Sequence, residues 1–478
     1  MGRQYSTVAL AVRSRSRPVT LSVVAGAQFL AVMSTSVVSV ALPTIGRELQ
    51  ASTTALEWIV DAYVLVFASL LVAGGVLSDR RGRKPMFVLG VVLFGTGSLL
   101  AGLAPTAGLL IAARVIQGLG PAIVLPGSLA IISAIFRSPR ERAAAIGLWS
   151  ASSGLALAVG PAFGGALVDG PGWRWVFLIN VPLCALLVAA ALVVIPAIRP
   201  DPGRSFDLLG AVLTVLGVGG LAFALIEAQA RGWGSPLVIV AAVIAVLALA
   251  GFVAWELYRV DPLVDVRLFR IPAFTAANVA GVVVFFAFIG AIVYFSAYFQ
   301  DVQGRSAGDA GLLVLPIGAA MALSAPVSGR LTGRVGARLP MLTGLVICGG
   351  ATLGLLRLGP HSGAAAEWWD FALIGLGAGL ALTPMTATAV GAVRHERAGM
   401  ASAVHNAMRQ LGQVLGVAVL GALVYTGLGG ESAGGRRLGP AAQQAYVDGL
   451  HHALWVAGLA LLGAAALVAL LVPPGRTS

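Results

Sequence analysis

The chain has 478 residues, of which 58% are hydrophobic and only 10% charged, with a mean hydropathy of +0.93. A soluble domain carries about a quarter charged residues to cover its solvated surface, so a water-soluble globule is excluded and an all-α polytopic membrane protein fits. The net charge of +12 does not signal nucleic acid, because the 31 basic residues stand mostly at the ends of apolar runs, where they orient helices and meet anionic lipid head groups.

Arg3, Arg13, Arg15 and Arg17 precede a first apolar run over 20–43, which is longer than the core of a signal peptide and is followed at once by another. It reads as the first membrane helix. Further segments of spanning length fall at 56–77, 86–103, 106–133, 142–167, 175–197, 207–228 and 236–257. The last six lie at 273–299, 309–331, 340–358, 370–392, 399–426 and 450–472. With the N-terminus inside, the cytoplasmic segments hold 22 basic residues against 7 outside, with Arg114 and Arg409 left within spans. That asymmetry predicts an even number of spans, both termini cytoplasmic, and a multi-pass protein of the cytoplasmic (inner) membrane.

In the second span, WIVDAYVL places Asp61 well inside apolar sequence. A carboxylate there can take a proton from one side and release it when its surroundings change, which is what coupling to a proton gradient requires. A structural, hydrogen-bonded carboxylate is the alternative. The next loop, GVLSDRRGRK at Gly75–Lys84, aligns without gaps on GRLTGRVGAR at Gly329–Arg338, 254 residues later and again after the second span of its half. Two duplicated six-helix halves with a two-helix insertion explain that spacing. The expected organisation is an N-terminal bundle over 1–199, accessory helices over 200–260 and a C-terminal bundle over 261–478. In the fourth span, RVIQGLGPA buries Arg114 at a cost that demands a cavity or a partner, unless the side chain snorkels to the outer interface. In the fifth, GLALAVGPAFGG supplies Gly154, Gly160, Gly164 and Gly165 for close helix approach and Pro161 for a bend, a pattern that generic helix packing also uses.

Cys184 and Cys348 both lie in apolar runs and read as small buried hydrophobes. In the thirteenth span, Ser402, Asn406, Arg409 and Gln413 share one helix face, which should meet protein or water rather than lipid. Hydrogen bonding between helices and contact with substrate are both open readings of that stripe. The five histidines show no metal-ligand spacing, no phosphate-binding loop ends in Lys-Ser/Thr, and no nucleophile–base set is visible, so neither an enzyme, a metal site nor a cofactor is expected.

The loop GVLSDRRGRKP resembles the loop 2–3 signature of the major facilitator superfamily, with Asp79 followed by basic residues around Gly82. RVIQGLGPA is similar to that family's fourth-helix motif, and GLALAVGPAFGG to the antiporter motif of its drug exporters. WRWVFLINVP at Trp173–Pro182, DPLVDVRLFR at Asp261–Arg270 and AGMASAVHNAMRQLGQVLG at Ala398–Gly416 resemble its fourteen-span drug/proton antiporter branch. The resemblance covers nearly the whole chain. It implies a major facilitator fold of 14 helices in two six-helix bundles plus two accessory helices. It further implies proton coupling through Asp61 and Arg114, gating by Asp79, Arg80, Gly82, Arg83, Gly154, Gly160, Pro161 and Gly164, and a cavity reached by Ser34, Asp61, Asn406, Arg409 and Gln413. Asp79 would dock on a helix N-terminus of the opposite half. The first span, MSTSVVSVALP, departs from the pattern: Ser34 and Ser39 stand where the family commonly has an aspartate and an asparagine.

The expected function is proton-coupled export of lipophilic small molecules by a monomer in the bilayer, with substrate and protons as its partners. Export of one endogenous metabolite or lipid is a second reading, and a non-transporting membrane sensor or scaffold is a third. With Asp61 as the one clear intramembrane carboxylate, the cavity is expected to favour neutral or monovalent substrates.

Overall fold

A computed structural model describes residues 2–136, 139–197, 207–259, 262, 264–363, 367–393, 398–425, 427–428 and 438–474. In a bilayer each backbone N–H and C=O must find its partner within its own segment, so long apolar runs fold as helices. The first six are α1 (Gly2–Leu49), α2 (Thr53–Arg81), α3 (Arg83–Gly102), α4 (Ala107–Ile135), α5 (Pro139–Asp169) and α6 (Trp175–Val194). A hairpin of α7 (Leu208–Arg231) and α8 (Pro236–Tyr258) follows. The last six are α9 (Pro272–Val302), α10 (Ala307–Val335), α11 (Arg338–Arg357), α12 (Trp368–Gly391), α13 (Ala398–Tyr425) and α14 (Pro440–Leu471). Among the described residues, 13 helices are long and apolar enough to cross a membrane, and the 31-residue α5 is the remaining long helix. The fourteen expected segments match these fourteen helices one for one. The largest differences are α1, which starts at Gly2 rather than at 20, and α14, which starts at Pro440 because its polar first turns still bury Tyr446 and Val447.

The repeat in the sequence reappears in three dimensions. Within α1–α6, α4 packs on α2 and α3, α1 on α5, and α3 on α6; within α9–α14, α12 packs on α10 and α11, α9 on α13, and α11 on α14. At the aligned loops, Gly82 (φ 99°) and Gly336 (φ 84°) turn the chain through the left-handed region that side chains avoid. Two positions later, Lys84 donates to the Leu192 carbonyl of α6 at 2.7 Å, and the aligned Arg338 donates to the Ala469 carbonyl of α14. Each half is thus clamped at the same point by the same geometry.

The accessory hairpin leans on this frame from one side. Asp207 caps α7 by accepting from Gly210 N at 2.9 Å, and it also meets Trp255 Nε1 at 3.0 Å and Arg259 at 3.4 Å, which ties the two helices together at their base. The hairpin is peripheral: only 17% of the most apolar stretch of α8 is buried, against 78% for α1. Its inner helix, α7, packs on α2 and α13, with Phe223 stacked on Trp58 at 5.9 Å.

Candidate functional site

The two bundles meet along two seams, α2 against α13 and α5 against α10. Fourteen alternating helices return the chain to the side on which it began, so each seam has an end near the termini and a far end. Lipid tails give apolar helices no solvent-driven reason to associate, so such seams depend on close approach of small residues. At the far end of the second seam, a Cβ added at Gly311 would lie 2.3 Å from the Pro161 carbonyl, and one at Gly165 2.5 Å from the Ala307 carbonyl. Asp169 Oδ2 accepts from Gly308 N of α10 at 2.7 Å. Gln300 of α9 donates to the Val40 carbonyl of α1 at 3.0 Å. Gly160 and Gly164 serve a different contact, against Ser36 and Val37 of α1 within the same bundle. Gly154 lies on the α10 side of α5 but nearer the termini, and no described atom comes within 4 Å of where its Cβ would stand. The bundles therefore touch at the far end, and among the described residues the space beside Gly154 is open.

Arg114 is fully buried within the first bundle, neither open to a cavity nor snorkelling to an interface. Its Nε donates to the Ile59 carbonyl of α2 at 2.8 Å, and Nη1 donates to Ser34 Oγ of α1 at 3.2 Å and Gln117 Oε1 at 2.6 Å. Gln117 in turn donates to Ser98 Oγ of α3 at 2.7 Å. The guanidinium stacks 4.2 Å above the ring of Tyr63, whose hydroxyl donates to the Ala31 carbonyl. Four helices are thus joined through one cation.

Asp61 is also fully buried, and neither carboxylate oxygen has a hydrogen-bond partner. Sequence reasoning grouped it with Arg114, but the structure puts the two on opposite faces of α2. Ile59 and Tyr63 face α4, whereas Glu57 and Asp61, four residues apart on one face, turn toward the seam with the second bundle. There Glu57 Oε1 closes on Gly421 of α13, 2.3 Å from where a Cβ would be.

Beyond Glu57 lies a small cavity of about 20 Å³, lined from α2 by Leu56 and Glu57, from α9 by Tyr294 and Asp301, and from α13 by Val417 and Tyr425. Asp301 is 3% exposed and its Oδ1 is unpartnered. The expected span stops at 299, so sequence reasoning missed this residue. The helix continues as a π-turn over Tyr298–Val302, and its wider winding carries Gln300 and Asp301 into the protein. The premise of a single intramembrane carboxylate is corrected accordingly: Glu57, Asp61 and Asp301 are all buried along this seam.

On α13 the stripe is half-buried at Ser402, Asn406 and Arg409 and buried at Gln413. Arg409 lies 4.2 Å over the ring of Phe285 and donates to Asn406 Oδ1 at 3.3 Å, Asn406 donates to the Ser402 carbonyl, and Gln413 donates to Gln410. Arg409 Nε and Gln413 Oε1 have no partner, which leaves hydrogen-bonding capacity for a bound molecule. His405, one step round the helix and one of the five histidines without metal-ligand spacing, is buried with Nδ1 at 3.3 Å from Asn278 Oδ1. Of the loop residues expected to gate, Arg83 donates to the Ala130 carbonyl of α4 at 2.9 Å within its own bundle, and Arg80 is exposed. The Asp79 side chain lies outside the described residues.

Two six-helix bundles with buried charge at their seam and a far-end closure define a polytopic transporter, not an enzyme. The chain matches the Major Facilitator Superfamily over residues 24–417, and it belongs to that family. It is 38% identical over 413 residues to "Multidrug resistance protein Stp" of Mycobacterium tuberculosis, covering 86% of this chain and 76% of that one. It is 35% identical to "Tetracenomycin C resistance and export protein" of Streptomyces glaucescens (88% and 78% covered) and 36% identical to "Puromycin resistance protein pur8" of Streptomyces alboniger (94% and 90% covered). Among solved structures, a bacterial homolog to the human lysosomal transporter Spinster, in its inward-facing and unoccupied form, superposes with a TM-score of 0.67 at 19% identity. That match covers 95% of this chain and 97% of the other, and it shows the shared fold.

Proposed function

We propose that this protein exports lipophilic small molecules across the cytoplasmic membrane in exchange for protons, by rocking two bundles (1–199 and 261–478) about the seam, with 200–260 as an accessory hairpin. The observation that carries the reading is Asp61: a fully buried carboxylate at the seam with no hydrogen bond to either oxygen. An unpaired charge in that position is costly, and taking a proton relieves it, so Asp61 is the group to exchange protons as the seam opens to each side. The far-end closure, with open space beside Gly154, supports one of the two alternating states, open toward the termini and hence toward the cytoplasm. The stripe of Asn406, Arg409 and Gln413 supplies orienting polar groups beside apolar surface, and the protein acts as a monomer. The relatives' names, which concern drug resistance and export, support the direction and the substrate class.

The test is purified protein in liposomes with an imposed pH gradient and a lipophilic fluorescent cation or antibiotic. Wild type should move the compound only with the gradient, and Asp61→Asn should abolish that movement while the protein still inserts and binds. Gradient-driven transport by Asp61→Asn would overturn the coupling role. Several relatives are named for a single antibiotic, which favours a second reading: a dedicated exporter of one compound. Transport of only one compound from a chemically diverse panel would select it.

A further inference from the structure

Asp61 sits too deep to exchange protons directly with the far surface while that end is closed, yet the seam beyond it is not inert. One turn toward the far end on the same face of α2 comes Glu57, then the small cavity, and across it Asp301 on α9 of the other bundle. Both carboxylates are buried, at 4% and 3% exposure, and both line the cavity. Its volume of about 20 Å³ suits one water molecule. Asp301 Oδ1 has no protein partner and so has capacity to hold that water or a proton. The groups around the pair are largely uncharged hydroxyls. Tyr294 donates to the Val417 carbonyl, Tyr446 donates to the Tyr294 carbonyl at 2.8 Å, and Tyr425 stacks between those two rings at 5.8 Å and 6.0 Å. Among the described residues, the cation that acts on Asp301 is Arg47 at the end of α1, and the carboxylates that act on Tyr294 are Glu57 and Asp61.

We infer that Glu57 and Asp301, one from each bundle, form a proton-binding site that latches the far end of the seam. This rests on the transporter reading above. Two carboxylates facing one water-sized space in a poorly polarisable surround repel when both are charged, and that repulsion pushes α2 and α9 apart. A proton on either carboxyl turns the contact into a hydrogen-bonded one, directly or through the water, and lets the bundles close. In forming the site, one O–H bond breaks on a hydronium arriving from the far surface and one forms on the pair, with no other change. The latch therefore closes only after protons have been taken from the far side. An exchanger needs this order, so that the empty protein does not close without its proton.

The latch can be read without transport. Leu56 lines the cavity and is buried in the closed seam, so Leu56→Cys in the full chain, in lipid vesicles, reports opening to a membrane-impermeant maleimide. Cys184 and Cys348 are buried, and the unsubstituted chain measures their background. Because a maleimide reacts with the thiolate, whose fraction itself rises with pH, each rate is divided by that of the exposed Asp309→Cys in an otherwise unsubstituted chain at the same pH. With no substrate present, this ratio should be about tenfold higher in alkaline than in acidic medium, a shift of roughly one decade in the open population. Glu57→Gln with Asp301→Asn should make this ratio low and independent of pH, whereas Glu57→Asp and Asp301→Glu should retain the dependence. Wild-type pH dependence in the double neutral variant would overturn the proposal. So would its loss in Asp61→Asn with the pair intact, since the controlling proton would then be on Asp61. Should the double variant fail to reach the membrane, Asp301→Asn alone decides, and an unchanged pH dependence there overturns the latch. Because labelling needs no export, failure of the latch leaves gradient-driven export untouched, and failure of export leaves the labelling readable.

Discussion

Arg114 Nη1 of α4 donates to Ser34 Oγ of α1 at 3.2 Å, deep inside the first bundle, at the position where this family commonly has an aspartate. The missing carboxylate is therefore missing beside a cation, and not from an empty part of the cavity. Ser34→Asp should form a charge-assisted pair with Arg114 and be neutralised there, so it should not confer export of doubly charged cations. Ser34→Ala removes a hydrogen bond to a charged group, worth about 1.5–3 kcal/mol, and should lower the thermal midpoint of the purified protein. Paired mono- and dicationic dyes, with thermal unfolding, check both outcomes. New dication export by Ser34→Asp would mean that the carboxylate escapes Arg114.

Arg114→Lys keeps the charge and tests the geometry. A guanidinium reaches the Ile59 carbonyl, Ser34 and Gln117 at once while stacking on Tyr63. An ammonium is a compact point charge that can do neither fully. Losing one or two of these hydrogen bonds to a buried charge should cost about 1.5–3 kcal/mol each, seen as a lower unfolding midpoint together with weak transport. Wild-type stability in Arg114→Lys would show that charge alone suffices.

Outside the spans, at the far end, Glu367 is fully buried with neither oxygen hydrogen-bonded. Burial pushes its carboxyl up to about 7 from the ordinary 4.5, with Arg305 and Arg357 opposing and Asp370 adding to the rise. Below 4.5 the folded and unfolded chains both hold the proton and stability is full; between 4.5 and about 7 only the folded chain holds it. Stability should therefore fall as pH rises through that window. Glu367→Gln should flatten this part of the profile and leave the protein more stable than wild type at about pH 8. Unfolding midpoints from about pH 5 to about pH 8 provide the measurement, and a wild-type profile that rises with pH would contradict it.

Where one physical signal sufficed, the sequence carried the answer. Unbroken apolar runs set all fourteen helices, and the aligned loops foretold that Gly82 and Gly336 turn the chain alike. The intramembrane placement of Asp61 needed only hydropathy. What stayed hidden depended on how distant segments meet. Arg114 finds Ser34 and the Ile59 carbonyl only because α1, α2 and α4 converge on it. Asp301 is buried only because a π-turn extends α9 past the end of its apolar run. Helix periodicity alone sets residues 57 and 61 across α2 from 59 and 63, but that Arg114 meets the 59/63 face depends on how α4 packs on α2.

The α5–α10 seam offers a pair of substitutions that should act in opposite directions. Residues 154, 161 and 165 lie toward one side of α5, seven and eleven positions apart. In the far-closed state the Pro161 carbonyl and Gly165 touch α10, while Gly154 faces open space. If α5 and α10 rock about this contact, Gly154 meets α10 when the end near the termini closes. Gly311→Ala places a methyl 2.3 Å from the Pro161 carbonyl and should disfavour far-end closure. Gly154→Ala meets nothing in the present state and should disfavour only the opposite one. Overpacking of this kind costs about 1–3 kcal/mol, enough to change the ratio of the two states about tenfold. Alanine is the better helix former by about 1 kcal/mol, so neither variant should suffer from a weakened helix. Spin labels at the exposed Gly170 and Asp309, at the far ends of α5 and α10, read the ratio as a distance distribution. Gly311→Ala should populate longer distances, and Gly154→Ala should sharpen the short one. A shift in the same direction from both would mean that the seam does not rock about Pro161 and Gly311.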